Sequence, residues 1–449
     1  MFKKDGFLRS PRSGVRVAGD GRHAPDRRNF LRTVALQGVS ISALCLVSSD
    51  GGAAALERAA TPAQGPAALN PAQSRDGKIV RDFASPYLEL VRLLREATEI
   101  EHALMLQYLY AAFSLKPDYA DIAGSGAPGS SDLIGVAVQE MQNLATVNRL
   151  LAALGAAPNL VRQEFPYEPA IYPFEFSLEP LSRKSLAKYL YAEAPSGIFL
   201  ATAAPADRAF AATVMELLGP GVRVNHLGSL YDAIIGRLED FAATKHSEEL
   251  DVADWLVQLR HIKTEGEEEH FGFFRSVFEG THAGFGEQKA VWDLPPTHPA
   301  YPSLALPINP TAFVGHDGEI GDPTLLALSW LGDLHYWTML FLLDLHFRQP
   351  NREVFLDLAR LQMLGPVLSL ARHLPTLGGA MPFDVLNVGS APGSDANHSC
   401  RFAMEMLREA QLVATAIGDA LPPDYPLEIA AETLTTLEET LRVLQLSQR

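Results

Sequence analysis

Three stretches of this chain read as long apolar helices, and a single carboxylate interrupts the inward face of each. Around residue 100, in LREATEIEHALMLQYLYAAFSL, Leu94, Ala97, Glu101, Leu104 and Tyr108 share one face at helical spacing. Between 133 and 151 the stripe is Leu133, Val136, Glu140, Leu144, Val147 and Leu151. In LVQLRHIKTEGEEEHFGFFRSVF it is Leu256, Leu259, Glu267, His270, Phe274 and Val277. An ionised Glu facing a core is strongly unfavourable unless it is protonated, paired or bound to a metal. The third stripe carries Glu267-x-x-His270, whose (i, i+3) spacing points both side chains into a bundle core. Hard carboxylate oxygens with an imidazole suit iron or manganese and leave coordination positions for dioxygen. Spacing alone leaves two readings open: a metal site, or buried glutamates paired with Arg or backbone groups.

The start of the chain reads as an address. The first 32 residues carry nine Lys/Arg and three Asp, a local charge of +6. Within them lies Arg27-Arg28-Asn29-Phe30-Leu31-Arg32, followed by the uncharged run from Thr33 to Ser49 and the small residues Ala53-Ala54-Ala55. This is the layout of a twin-arginine export signal over residues 1–55. The alternative is a disordered basic tail beside a weak anchor. The apolar run is short for a membrane span, so no stable span is expected once the signal is removed. Export by this route delivers folded protein to the periplasm or beyond and favours a metal loaded before export. Taking the +6 away from the whole chain's −16 leaves −22, which argues against nucleic acid or an anionic membrane as partner. Of two cysteines, Cys45 lies in the signal and only Cys400 remains, which excludes a disulfide or CxxC site in the mature chain.

The rest reads as all-α. An Ala/Pro/Gln-rich linker over 56–85 precedes a helix from Pro86 to Leu115. The next helix is capped by Ser131 or Asp132 and ends at Leu154-Gly155. Shorter helices follow near Leu186–Ala192 and Ala206–Leu218, then one burying Leu227, Leu230, Ile234, Leu238 and Phe241, and one from Ser247 or Asp251 to Gly280. A four-helix bundle is thus expected over 86–290. A Pro-rich crossing over 291–323 separates it from a second helical region over 324–449, with helices at 325–347, 354–374, 400–420 and 427–446.

Several strings resemble one family. They are Glu99-Ile100-Glu101-His102 with Tyr108-Leu109, Gln139-Glu140-Met141 leading into Asn148 to Gly155, Leu230-Tyr231-Asp232-Ala233-Ile234, Glu267 to Phe271, and Met363 to Leu374-Pro375 with Pro382-Phe383. Together they look like the ferritin-like domain shared with the iminophenylpyruvate dimer synthases of violacein and rebeccamycin biosynthesis, over roughly residues 88–385. The resemblance implies a ferritin-like four-helix bundle with Glu on the first helix, Glu-x-x-His on the second, Glu on the third and Glu-x-x-His on the fourth. Glu101, Glu140, Glu267 and His270 match. Asn143 stands where the second histidine is expected, and Ser229 where the third helix's carboxylate is expected. With three carboxylates, two divalent ions would leave the cluster at +1, so one ion per chain is the more economical expectation. His226, one turn before Ser229, is a substitute donor or simply a solvated residue.

Other residues carry weaker expectations. Glu99 and His102 flank Glu101 and can orient it; Glu265, Glu268 and Glu269 point away from the Glu267 face and should be solvated. His335 and His346 raise haem ligation, against the more ordinary role of core histidines; haem is not expected. The function expected is an exported oxidoreductase holding iron or manganese, oxidising a small organic molecule with dioxygen or peroxide, with Tyr108 moving a proton or electron. The alternative is a non-catalytic metal- or partner-binding protein on a degenerate bundle. A homo-oligomer is compatible with either. No Gly-x-Ser-x-Gly elbow supports hydrolysis.

Overall fold

Ser85 opens the first helix: its hydroxyl accepts from Leu88 N, Pro86 takes the first position, and the helix α1 runs Pro86–Phe113. The computed structural model describes residues 83–446 except 126, 163–171, 196, 200–201, 220–226, 245–249, 289, 349–352 and 386–395. The proposed signal, nearly all of the linker, and His226 lie outside the described residues. Asp132, rather than Ser131, caps α2 (Leu133–Ala153) by accepting from Gly135 N at 2.7 Å. Ser182 and Ser185 form a capping box that starts α3 (Arg183–Glu193), and Pro205 begins α4 (Pro205–Leu218). The helix α5 (Leu227–Ala242) buries the expected Leu227, Leu230, Ile234, Leu238 and Phe241.

Asp251 caps α6 (Val252–Thr264), which continues through a π-helical turn, Glu265–His270, into α7 (Phe271–Phe278). The α1 helix packs on α2 and α5, and α5 packs on α6, so the stripes read from the sequence face one another. The short α3 lies against α7 and reaches the π turn.

The crossing is laced to the end of α1. Lys116 N donates to Pro302 O at 2.9 Å, Leu304 N to Ser114 O at 2.7 Å, and the Tyr110 hydroxyl to Pro307 O. Beyond it come α8 (Pro323–Arg348), α9 (Glu353–Gln362), a second π turn at Met363–Val367, α10 (Leu368–His373), α11 (Ala396–Ile417) and α12 (Leu427–Leu446). With α9, the π turn, α10 and the short turn after it forming one continuous run, Glu353–Leu377, these match the four helices expected there. Glu353–Leu377 is long and apolar enough to cross a membrane, and half of its most apolar window is buried. The helix α8 also touches α2, and both helical regions fall in one packed unit, Ala68–Arg449. Among the described residues there is no strand, only isolated bridges at Leu115–Ser303 and Thr311–Glu319.

Candidate metal centre

Glu101 of α1, Glu140 of α2, Glu193 of α3 and His270 of the π turn meet inside the bundle, each at most 3% exposed. Together with residues of α5 and α6 they line a small cleft with free space of about 10 Å³. One ligand atom from each of Glu140, Glu193 and His270 lies within 4.8 Å of the others. His270 Nδ1 is 3.0 Å from Glu140 Oε1 and 3.8 Å from Glu193 Oε2. Despite the 3.0 Å separation, neither of those two atoms makes a hydrogen bond, and Glu101 Oε2 is likewise without one. Atoms that are close but misaligned for hydrogen bonding are what donors aimed at a shared cation look like. The residues fit a divalent metal: carboxylates and one imidazole, buried, with donor atoms left over.

The electrostatics point the same way. Burial raises the Glu101 carboxyl well above its ordinary range, and the neighbouring Glu140 raises it further; the Tyr231 hydroxyl, which donates to Glu101 Oε1, acts in the opposite direction. Burial, then the charge of Glu193, raises Glu140. Burial works to lower His270, but the surrounding carboxylates, Glu193 foremost, leave it raised. Such a cluster is stable only with extra protons or around cations.

Each donor is held from behind. The Tyr108 hydroxyl donates to Glu193 Oε1 at 2.6 Å, its ring fixed edge-on to Tyr189 at 4.8 Å and against Phe274 at 4.9 Å. Burial keeps Tyr108 and Tyr231 protonated far above the usual phenol range, so both remain donors. Asn143 Nδ2 donates to Glu140 Oε2 at 3.3 Å, so the residue standing in the expected histidine position steadies a carboxylate. Gly266 completes the seat: a Cβ there would lie 2.8 Å from Glu193 Oε2.

Several expectations need correction. The third carboxylate does not come from α5, where Ser229 stands; Glu193 supplies it from α3. The expected helix near Leu186–Ala192 ends one residue short of it, although Leu186, Leu190 and Glu193 repeat the interrupted-stripe signature. Glu267 lines the cleft from its wall, 18% exposed and 3.8 Å from Lys263 Nζ. Glu268 and Glu269 are exposed as expected, but Glu265 is buried, because the π turn winds more residues per turn and rotates it inward. Neither flank of Glu101 orients it: Glu99 Oε1 accepts from Asn159, and His102 Nε2 meets the Tyr336 hydroxyl at 2.7 Å on the α8 side. The ring nitrogens of His335 are both engaged, with Gln362 Oε1 and the Tyr425 hydroxyl each at 2.6 Å, which commits it to the core.

Residues 94–277 match the family model described as Ferritin-like, and the chain therefore carries a ferritin-like domain. The chain is 31% identical over 155 residues to a dichlorochromopyrrolate synthase from Lentzea aerocolonigenes, covering 29% of this chain and 15% of that one. It is 36% identical over 137 residues to a 2-imino-3-(indol-3-yl)propanoate dimerase from Chromobacterium violaceum, covering 24% and 13%. The chain thus spans about a seventh of the length of these relatives. No solved structure matches it significantly.

Proposed function

We propose that this ferritin-like protein is a metal-dependent oxidoreductase, exported through the twin-arginine route, that uses iron or manganese with dioxygen or peroxide to oxidise a small organic molecule. One observation carries the reading: the buried convergence of Glu140, Glu193 and His270, with ligand atoms within 4.8 Å of one another. The names of the two relatives, a dichlorochromopyrrolate synthase and a 2-imino-3-(indol-3-yl)propanoate dimerase, favour a small organic substrate.

The bound ion would supply one-electron chemistry and an open position for the oxidant. The chain's own residues do the rest. Glu140, Glu193 and His270 would hold the ion, with Glu101 and Glu267 on the same cleft. Recovering Glu193 changes the charge argument: four carboxylates with neutral His270 balance two divalent ions, so a second ion beside Glu101 is as well compensated as one alone. Tyr108 keeps a proton at its hydroxyl beside Glu193 Oε1, where it steadies the carboxylate and can release or take up that proton. The Tyr231 hydroxyl does the same for Glu101. Leu227 and Ile262 line the cleft beside the carboxylates.

The alternative, a binding protein without catalysis, draws on Asn143 and Ser229 in place of two stronger donors. Metal content per chain, measured on the exported protein beside Glu140→Ala, separates the two. One or two iron or manganese ions per chain, lost in the variant, together with consumption of dioxygen or peroxide, support the enzyme. A stable metal-free parent overturns it.

A further inference from the structure

We infer that Gln139 and Glu265 are positioning residues which dictate the nitrogen that His270 turns toward the carboxylate cluster. The inference deepens the metal-centre reading and rests on it for its purpose, though not for its geometry. Both residues are buried, at 8% and 7% exposure, on the far side of the imidazole from the cleft. Gln139 Nε2 donates to Glu265 Oε2 at 2.6 Å, and Gln139 Oε1 lies 3.3 Å from His270 Nε2.

A carboxylate only accepts, so it commits the amide's NH₂ group to Glu265 and leaves the amide oxygen for the imidazole. That oxygen also only accepts, so His270 Nε2 must carry the proton. A neutral imidazole has one N–H, which makes Nδ1 the bare nitrogen. Nδ1 is the atom 3.0 Å from Glu140 Oε1 that makes no hydrogen bond.

The opposite tautomer would turn an N–H toward the carboxylates of Glu140 and Glu193, and a proton would fill the position meant for a cation. Left to the cluster alone, His270 would adopt that form. Glu265 prevents it through Gln139, and it reaches Gln139 because the π turn brings residue 265 inward. Outer partners of this kind typically shift metal affinity 10- to 100-fold.

The test uses full-length exported protein with ¹⁵N-labelled histidine. The ring signals of His270 are read in the metal-free state at a pH where the ring is neutral, and Mn(II) affinity is measured alongside. The parent is expected to show the Nε2–H tautomer alone. Gln139→Leu removes the acceptor, inverts the ring to Nδ1–H and weakens Mn(II) binding about 10- to 100-fold. Glu265→Gln, which keeps shape and volume, frees the amide to rotate and gives a mixture of tautomers. The swap Gln139→Glu with Glu265→Gln restores an acceptor opposite Nε2 and returns both the parent tautomer and its affinity.

Retention of the Nε2–H form in both single variants overturns the inference, as does a swap that behaves like Gln139→Leu. A parent that binds no Mn(II) overturns the metal reading instead, and the ring signals still decide the inference by themselves.

Discussion

Two buried histidines, His270 in the ferritin-like half and His335 on α8, are wired alike on one side and differently on the other. Each has one ring nitrogen against a glutamine oxygen, and each glutamine has its NH₂ group committed elsewhere: Gln139 to Glu265 at 2.6 Å, Gln362 to Thr433 at 2.9 Å. The second nitrogen decides the outcome. At His335 it meets the Tyr425 hydroxyl at 2.6 Å, a group that can donate, so every donor has an acceptor and the circuit closes. At His270 it meets Glu140 and Glu193, which as ionised carboxylates cannot donate, and the circuit closes only with an added proton or a cation. Burial alone therefore does not distinguish a site from a core. What answers the last lone pair does.

Removing the acidic side of the His270 site should have the largest effect. Glu193→Ala should lower metal affinity on the order of 100-fold or more, beyond the usual outer-partner effect, while the protein stays folded. Equilibrium titration with iron or manganese checks this, and unchanged affinity would remove α3 from the centre.

The closed circuit makes a pH prediction. Burial lowers His335 to about 4, with Gln362 pulling weakly upward, and lowers His102 to about 3. Unfolded histidines titrate near 6.5, so between that pH and the folded values the unfolded chain binds more protons. Stability contributed by these neutral rings is present above about pH 6.5 and falls as the pH drops toward 4, by on the order of 3 kcal/mol for His335 as an upper bound. Urea unfolding across that window reads the slope. His335→Gln should flatten part of it and leave metal content untouched; an unchanged slope would show that His335 does not titrate as its surroundings dictate.

Gly266→Ala sharpens the comparison without touching a donor. The new Cβ would push on Glu193 Oε2, the far end of a flexible side chain, so the carboxylate should move and the fold should not. About a tenfold loss of metal affinity with an unchanged melting temperature is expected; a lower melting temperature with full affinity would make the glycine a matter of packing. The smallest effect belongs to Ser229→Ala, which should leave affinity within about twofold. A clear loss there would return the third carboxylate's role to α5.

The architecture was largely legible because apolar periodicity and caps carry it: the α5 core residues and the helices of the second region fall where the pattern places them. The centre was legible wherever a carboxylate interrupted a long stripe, as at Glu101 and Glu140. Glu193 escaped because α3 is short and Pro195 and Gly197 follow closely, so the stripe ended before its last member. Glu265 escaped for a different reason. Its position depends on a local change of winding, and a 3.6-residue period cannot foresee one. Gly266 was the available hint, a flexible residue inside an otherwise strong helical pattern.

That change of winding makes the centre sensitive to chain length as well as to residue type. A π turn holds one residue more than the regular helix it interrupts, and deleting a residue from Glu265–His270 would let α6 run into α7 without a break. The wider winding is what absorbs the extra residue, so the flanking helices would keep their faces and only residues inside the turn would change their setting. The supports lodged there, Glu265 against Gln139 and Gly266 against Glu193, are what a one-residue deletion would disturb, with His270 and Phe274 left in place. Substitution scans, which preserve length, would pass over this dependence. Among distant relatives, gain or loss of a single residue here would mark where these supports were acquired or abandoned.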